Sequence, residues 1–193
     1  MKTVDREIEI SQLSALYGTP VRQRYVLHVS NATIQRWTSE KGRQSAGEVV
    51  LFIRLHNGGL LLHTKDFYPA GVFRVPSGGI KTGEGLCDAV RREALEETGL
   101  EVAIERFLAV IEFEFRCQEL IIPYPSYLFL LREAGGVLKT MDKDERIVAF
   151  TTVPMLDLRS VAERLENLPP DWQDWGQFRA LPHRVAAQLL QNV

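Results

Sequence analysis

Only two cysteines, Cys87 and Cys117, occur among 193 residues. That excludes a disulfide framework and a four-cysteine zinc module. No run approaches the roughly 18 apolar residues of a membrane-spanning helix. The opening MKTVDREIEI carries charges where a secretory leader needs an apolar stretch. Net charge is nearly absent too: 23 Lys+Arg against 25 Asp+Glu leave −2. No basic field is left to attract duplex DNA or an anionic membrane. No internal repeat or low-complexity tract is visible. The expectation is a soluble, cytoplasmic protein.

What is there is globular. With 45% hydrophobic and 25% charged residues, a chain of this length should form one domain and bury about 70% of the surface it exposes when unfolded. Residues 1–46 carry seven Lys/Arg against four Asp/Glu and read as an N-terminal extension, with a helix over Glu7–Tyr17 and a strand over Tyr25–Val29. The main domain is expected over 47–155. Val49–Leu55 and Leu60–Lys65 flank Asn57-Gly58-Gly59, residues that tolerate the positive φ of a tight hairpin. Val72–Val75 reads as a short strand ended by Pro76. Phe107–Phe115 alternates, with Phe107, Ala109, Ile111, Phe113 and Phe115 on one face and Glu112 and Glu114 on the other. Tyr127–Leu131 is apolar throughout, as a strand covered on both faces would be. Arg146–Thr151 is expected as a further strand. Residues 156–193 read as a helical extension: Leu158, Val161, Leu165 and Leu168 form a stripe, Pro169-Pro170 interrupts it, and a second helix runs through Trp172, Trp175, Phe178, Val185 and Leu189.

The informative segment is GGIKTGEGLCDAVRREALEETGL, residues 78–100. A helix is expected from about Gly85 to Thr98, closed by Gly99 in a left-handed cap. At about 100° per residue, Glu97 lies about +40° and Glu96 about −60° from Glu93. Leu86, Ala89 and Val90 fall in the same sector, so the acids continue the buried face. Such an arrangement is unfavourable alone. Like charges at this spacing destabilise a helix by about 0.2–0.5 kcal/mol per pair, burial of an unpaired carboxylate costs several kcal/mol, and acids oppose the dipole at a helix C-terminus. A divalent cation would offset all three. The alternative is an ordinary solvated charge run. Ahead of the helix, Pro76-Ser77-Gly78-Gly79 lets backbone approach a ligand closely and leaves carbonyls free. Glu84 stands before the helix N-terminus, where the dipole favours an acid. Arg92, four residues before Glu96, can hold a carboxylate.

Gly78, five residues, Glu84, seven residues, then Arg92-Glu93-Ala94-Leu95-Glu96-Glu97-Thr98-Gly99-Leu100 resembles the Nudix box at every specified position. The resemblance implies an α/β fold, an α/β/α sandwich around a mixed β-sheet. It further implies a Mg²⁺- or Mn²⁺-dependent hydrolase of a diphosphate linkage in a nucleoside diphosphate joined to another group. Glu93, Glu96 and Glu97 would be metal ligands with the carbonyl of Gly78. Glu84 would be a supporting acid and Arg92 its orienting partner. Glu145, in Asp142-Lys143-Asp144-Glu145, stands where related enzymes place a further acid in a mobile loop. It would be a metal ligand or the general base, against the alternative of a solvated loop charge.

Arg74 and Lys65 precede the glycine loop and are candidate phosphate contacts, with a surface role as the alternative. Glu112 and Glu114 are weaker candidates for the base. Trp172, Trp175 and Phe178 read as packing rather than a base-stacking platform, and His28, His56, His63 and His183 show no ligand spacing. Cys87 reads as a small buried side chain. Phe115-Arg116 stands where ADP-ribose hydrolases of the family carry a proline, and Pro123-Tyr124-Pro125-Ser126 lies too far downstream for the NADH hydrolases' signature. The subfamily is thus open, as is a homodimer. A nucleotide-sensing module without turnover and a prenyl-diphosphate isomerase are the alternatives to hydrolysis.

Overall fold

In the computed structural model, which describes residues 5–37, 45 and 47–191, the chain opens with α1 (Arg6–Tyr17). Asp5 caps this helix by accepting the amides of Glu7 and Ile8. There follow β1 (Val21–His28), α2 (Asn31–Trp37), β2 (Glu48–Arg54), β3 (Leu60–Lys65) and β4 (Ser77–Gly79). The helix of the Nudix-like segment is α3 (Leu86–Thr98), which runs through Gly99 into β5 (Leu100–Cys117). β6 (Leu120–Gly136), β7 (Ile147–Val153), α4 (Leu158–Glu166) and α5 (Gln173–Leu190) complete the chain.

The seven strands form one mixed sheet in the order β1-β5-β6-β2-β3-β7, with β4 paired to β2. β1 runs parallel to β5 and β2 parallel to β6, while the remaining pairs are antiparallel. Two apolar layers cover the sheet. On one face, Ile10 and Leu13 of α1 and Leu86, Ala89, Val90 and Ala94 of α3 pack on Val49, Leu51, Ile53, Val110 and Phe129. On the other, Val161, Leu165, Phe178, Val185 and Leu190 of α4 and α5 pack on Val50, Phe52, Leu62, Ile111 and Leu128. This is the expected sandwich. β2 is buried on both faces because its odd and even residues serve different layers.

The two segments expected as extensions are part of these layers. β1 pairs with β5 from Val21↔Ala109 to His28↔Arg116, α1 shares a core with α3, and α5 shares one with the sheet. The hairpin turn forms as expected: Gly58 has φ +85°, and Asn57 Oδ1 accepts the Gly59 amide at 2.9 Å.

Two expectations are corrected. No strand forms over Val72–Val75; Arg74 makes an isolated bridge to His63, and the paired segment is Ser77–Gly79. Val72 and Val75 are apolar because they fill a core, while the glycines lie flat enough to pair with β2. Phe107 does not share a face with Ala109, Ile111, Phe113 and Phe115. A register shift between Phe107 and Ala109 turns its side chain into the α3 layer, since an extra residue inverts the alternation.

After β6 the chain crosses the end of α3. The amide of Val137 donates to Gly99 O at 3.2 Å, Lys139 to Thr98 O at 3.0 Å, and Met141 and Asp142 to Glu96 O at 3.1 and 3.2 Å. These bonds satisfy carbonyls that a helix terminus leaves open. Among the described residues no helix is long and apolar enough to cross a membrane.

Candidate active site

Three elements meet at the site: α3, the glycine strand β4 and the end of β3. Gly99 ends α3 with φ +70°, its amide donating to Leu95 O at 2.9 Å. A side chain there would meet Val137 O at 2.5 Å. Along α3 the buried side chains are Leu86, Ala89, Val90, Glu93, Ala94, Glu97 and Thr98. The two acids thus sit on the apolar face. Glu96 is at the rim, its side chain 35% exposed.

Gly78 makes room for Glu93. A Cβ on Gly78 would stand 1.8 Å from Glu93 Cδ, so the carboxylate occupies the volume a side chain would take. Glu97 is 1% exposed. Its Oε2 accepts the Ser77 amide at 3.0 Å, and its Oε1 lies 3.3 Å from Lys65 Nζ but accepts no hydrogen bond. Burial is the largest influence on both acids and pushes each up to about 7, against the lowering effect of Arg92 on Glu93 and of Arg74 and Lys65 on Glu97.

Arg92 ties the acids together. Nε and Nη2 donate to the two oxygens of Glu84 at 2.6 and 2.8 Å. Nη1 reaches Glu93 at 2.6 Å and Glu96 at 2.9 Å, and Nη2 also reaches Gly79 O at 2.8 Å. Every N–H of the guanidinium has an acceptor, a geometry that a lysine cannot reproduce. Glu84 also accepts the Lys81 amide at 2.8 Å. Burial raises its pKa, but the hydrogen bonds from Arg92 and Lys81 outweigh that and hold it below the ordinary range.

Glu145 joins this group from a short 3-10 turn, Lys143–Glu145. Lys65 Nζ donates to Glu145 Oε2 at 2.6 Å and stands between it and Glu97. Burial would raise Glu145, yet the bond from Lys65 prevails and its pKa lies below the ordinary range.

Arg74 goes elsewhere. It is 4% exposed and donates to Tyr68 Oη at 2.9 Å, Val75 O at 2.8 Å and Ser77 Oγ at 2.9 Å. It braces the loop, where the sequence suggested a phosphate contact. Glu112 is exposed and faces Arg22 at 3.9 Å; Glu114 pairs with Arg24 and Arg116. Neither has a partner in the Nudix-like segment. Among the four histidines, His63 and His183 are buried. Burial, then the charges of Arg74, Lys65 and Arg179, hold His63 well below its usual range. Phe178 packs in the core with Trp175 against it, and Trp172 meets Tyr68 edge-on at 6.2 Å. Cys87 is half-buried and free.

A family model described as "NUDIX domain" matches residues 45–175. The chain belongs to the Nudix family. Its solved Nudix-like neighbours include an ADP-ribose pyrophosphatase from Streptococcus suis (17% identity, 75% of this chain and 90% of that one, TM-score 0.44). A UDP-X diphosphatase is 16% identical over 83% of this chain and 72% of its own, with TM-score 0.47. The E. coli dihydroneopterin triphosphate pyrophosphohydrolase is 16% identical over 76% and 95%, with TM-score 0.46.

Nudix hydrolases generally use divalent cations, and the Nudix box here is suited to one. Glu97 Oε1 is a buried oxygen that accepts no hydrogen bond although the Lys65 ammonium lies 3.3 Å away, and Gly78 leaves the space that the Glu93 carboxylate fills. The donors are all hard oxygens, as Mg²⁺ and Mn²⁺ prefer. Among the described residues no three acids converge at ligand spacing; Arg92 and Lys65 meet their charges instead.

Sequence reasoning missed the residues that hold this Nudix site from outside the box. Glu9 of α1 accepts the Leu86 amide at 2.6 Å, capping the box helix where Gly85 has no side chain to do so. Glu48, 1% exposed, accepts from Arg179 Nη1 at 2.6 Å and Ser126 Oγ at 2.8 Å. An isolated Glu in the apolar run of β2 was the available signal, because a buried acid there requires partners.

Proposed function

We propose that the chain hydrolyses the diphosphate linkage of a nucleoside diphosphate joined to another group, such as a nucleotide sugar or an ADP-ribose-like compound. The observation that carries this is the pairing of a buried, unsatisfied Glu97 oxygen with the Glu93 carboxylate lodged against Gly78. Glu93, Glu96, Glu97 and the carbonyl of Gly78 would hold Mg²⁺ or Mn²⁺, which when bound would neutralise the charge developing on the diphosphate.

The chain's own side chains supply the rest. Arg92 fixes Glu93 and Glu96 in one plane of hydrogen bonds, so their oxygens need little reorganisation. Glu145, ionised beside Lys65, is assigned as the acceptor of the attacking water's proton. Lys65 would turn from Glu145 Oε2 toward a substrate phosphate as that proton arrives. In this proposal the protein acts on small nucleotides in the cytoplasm, either alone or as a homodimer.

The test is a turnover screen of nucleotide sugars, ADP-ribose, dinucleotides and nucleoside triphosphates, each with Mg²⁺ and with Mn²⁺. Release of a nucleoside monophosphate from one of the diphosphate-linked compounds is expected, and Glu96→Gln should abolish it. Tight nucleotide binding with no turnover under either cation would overturn hydrolysis in favour of a sensing module.

A further inference from the structure

The C-terminal helix α5 reaches the site from the face of the sheet opposite α3. Arg179 and His183 stand one turn apart on it. Arg179 Nη1 donates to Glu48 Oε2 at 2.6 Å and to Ser77 Oγ at 3.1 Å. His183 Nε2 accepts the Val75 amide at 3.2 Å, and its Nδ1 contacts Arg179 O at 2.8 Å. With Val75 N–H necessarily the donor, Nδ1 carries the proton and donates to Arg179 O. Two successive contacts from α5 therefore grip the segment Val75–Ser77.

Ser77 links the two sides of the sheet. Its Oγ meets Arg179, Arg74 and Glu48, while its amide donates to Glu97 Oε2 at 3.0 Å. Ser77 also pairs with Val50 and Gly78 with Val49, so the segment has little room to shift independently. Glu48 locks the far end: it is buried, its ion pair comes from Arg179 of α5, and buried Arg74 adds a further attraction through Ser77 Oγ.

We propose that Arg179 is a positioning residue for the active site: by holding Ser77 Oγ and Glu48 it sets the Ser77 amide, and through that amide the carboxylate of Glu97. The proposal rests on Glu97 serving the hydrolysis proposed above. Arg179 lies beyond the segment matched by the family model, 45–175, so this chain's C-terminal helix acts on the box from outside it.

The experiment uses the full chain with Arg179→Met and Arg179→Lys. Because Arg179→Met strips buried Glu48 of its ion-pair partner, Arg179→Met/Glu48→Gln is made as well, to remove the under-compensated charge. The first readout is the Ser77 amide resonance by NMR in metal-free protein, which needs no turnover. It should move in Arg179→Met toward its position in Glu97→Gln, with partial recovery in Arg179→Lys. The second is Mg²⁺ affinity by calorimetry, expected to weaken in Arg179→Met.

The third is kinetic: kcat should fall at least about tenfold with KM within a few-fold, since a misplaced group is felt at the chemical step. In the Glu97→Gln background, Arg179→Met should do almost nothing further, because residues acting as a unit are not additive. A Ser77 resonance that stays put, or additive losses in the double variant, would overturn the proposal and leave Arg179 as a stabilising contact only. If the wild type turns over none of the substrates but the Ser77 resonance moves as described, hydrolysis fails while the positioning link stands.

Discussion

Arg92 grips Glu84 with two parallel hydrogen bonds, Nε to Oε1 at 2.6 Å and Nη2 to Oε2 at 2.8 Å. The fork leaves Nη1 aimed at Glu93 and Glu96. An acid ahead of the helix therefore aims the arginine that aims the acids within it. Arg92→Lys keeps the charge and loses the fork. It should lower stability by roughly 1.5–3 kcal/mol, the range for hydrogen bonds to charged groups, and reduce turnover. Urea denaturation and steady-state kinetics check both, and a variant with wild-type values for each would contradict the account.

Gly78→Ala tests the close approach of backbone and carboxylate. The new methyl would overlap the Glu93 carboxyl, the mobile end of a side chain, so the fold should survive while the acid is pushed aside. Turnover should fall about 10²-fold, the scale of loss for a misplacement of about 1 Å. Wild-type kcat/KM in Gly78→Ala would show that Glu93 has freedom the geometry denies it.

Protonation of the buried acids should be visible in stability. Glu93 and Glu97 are raised by burial from 4.5 to about 7. A raised carboxyl favours the folded state while protonated, so its contribution is full below pH 4.5 and is lost as pH rises through about 7. His183, lowered by burial from 6.5 to about 4, and buried His63 work in the opposite direction. Comparing metal-free wild type with Glu97→Gln cancels the histidines. The variant should gain stability relative to wild type as pH rises from 4.5 to 7, read from denaturation midpoints. A flat difference would mean that Glu97 ionises normally.

Glu145→Gln should cut kcat by about 10²–10⁴-fold, the usual worth of a general base, with substrate affinity within a few-fold. Glu112→Gln, which alters an exposed acid beside Arg22, should leave kcat near the wild-type value. The reverse ranking would transfer the proton acceptor to β5.

Glu9→Ala removes the acceptor of the Leu86 amide. A lost helix cap costs about 0.5–2 kcal/mol, and α1 should loosen from α3 because Arg6, which pairs with Glu9 and reaches Glu84 O at 3.2 Å, loses its partner. An unchanged melting temperature would show that water caps α3 equally well.

The acid sector of α3 was legible because helical periodicity and the box spacing agree on the same residues. Glu93 and Glu97 lie on the apolar stripe, and no turn or long-range contact is needed to infer it. The brace that Arg74 forms was not legible because it depends on Tyr68 and Ser77, contacts that local pattern does not encode. Phe107 was misread because one register shift inverts every later position of a strand. Arg179 and Glu9 were invisible for a related reason: each meets its partner across a long stretch of chain, and nothing in the neighbouring residues marks the meeting. Sequence periodicity reports which face an element buries, but not which distant element arrives there.

The segment leaving β6 hangs by its amides from Glu96 O, Thr98 O and Gly99 O. The turn that bears Glu145 is consequently not an independent flap. To swing away, it must strip donors from the last turn of the box helix, and the helix end must then find water. Opening of that turn and fraying of the helix are one cooperative event, with a shared free energy. Amide deuterium exchange at Lys139, Met141 and Asp142 would then follow the helix terminus, although these residues lie in a connecting loop. The acid at the tip inherits its steadiness from the helix it faces.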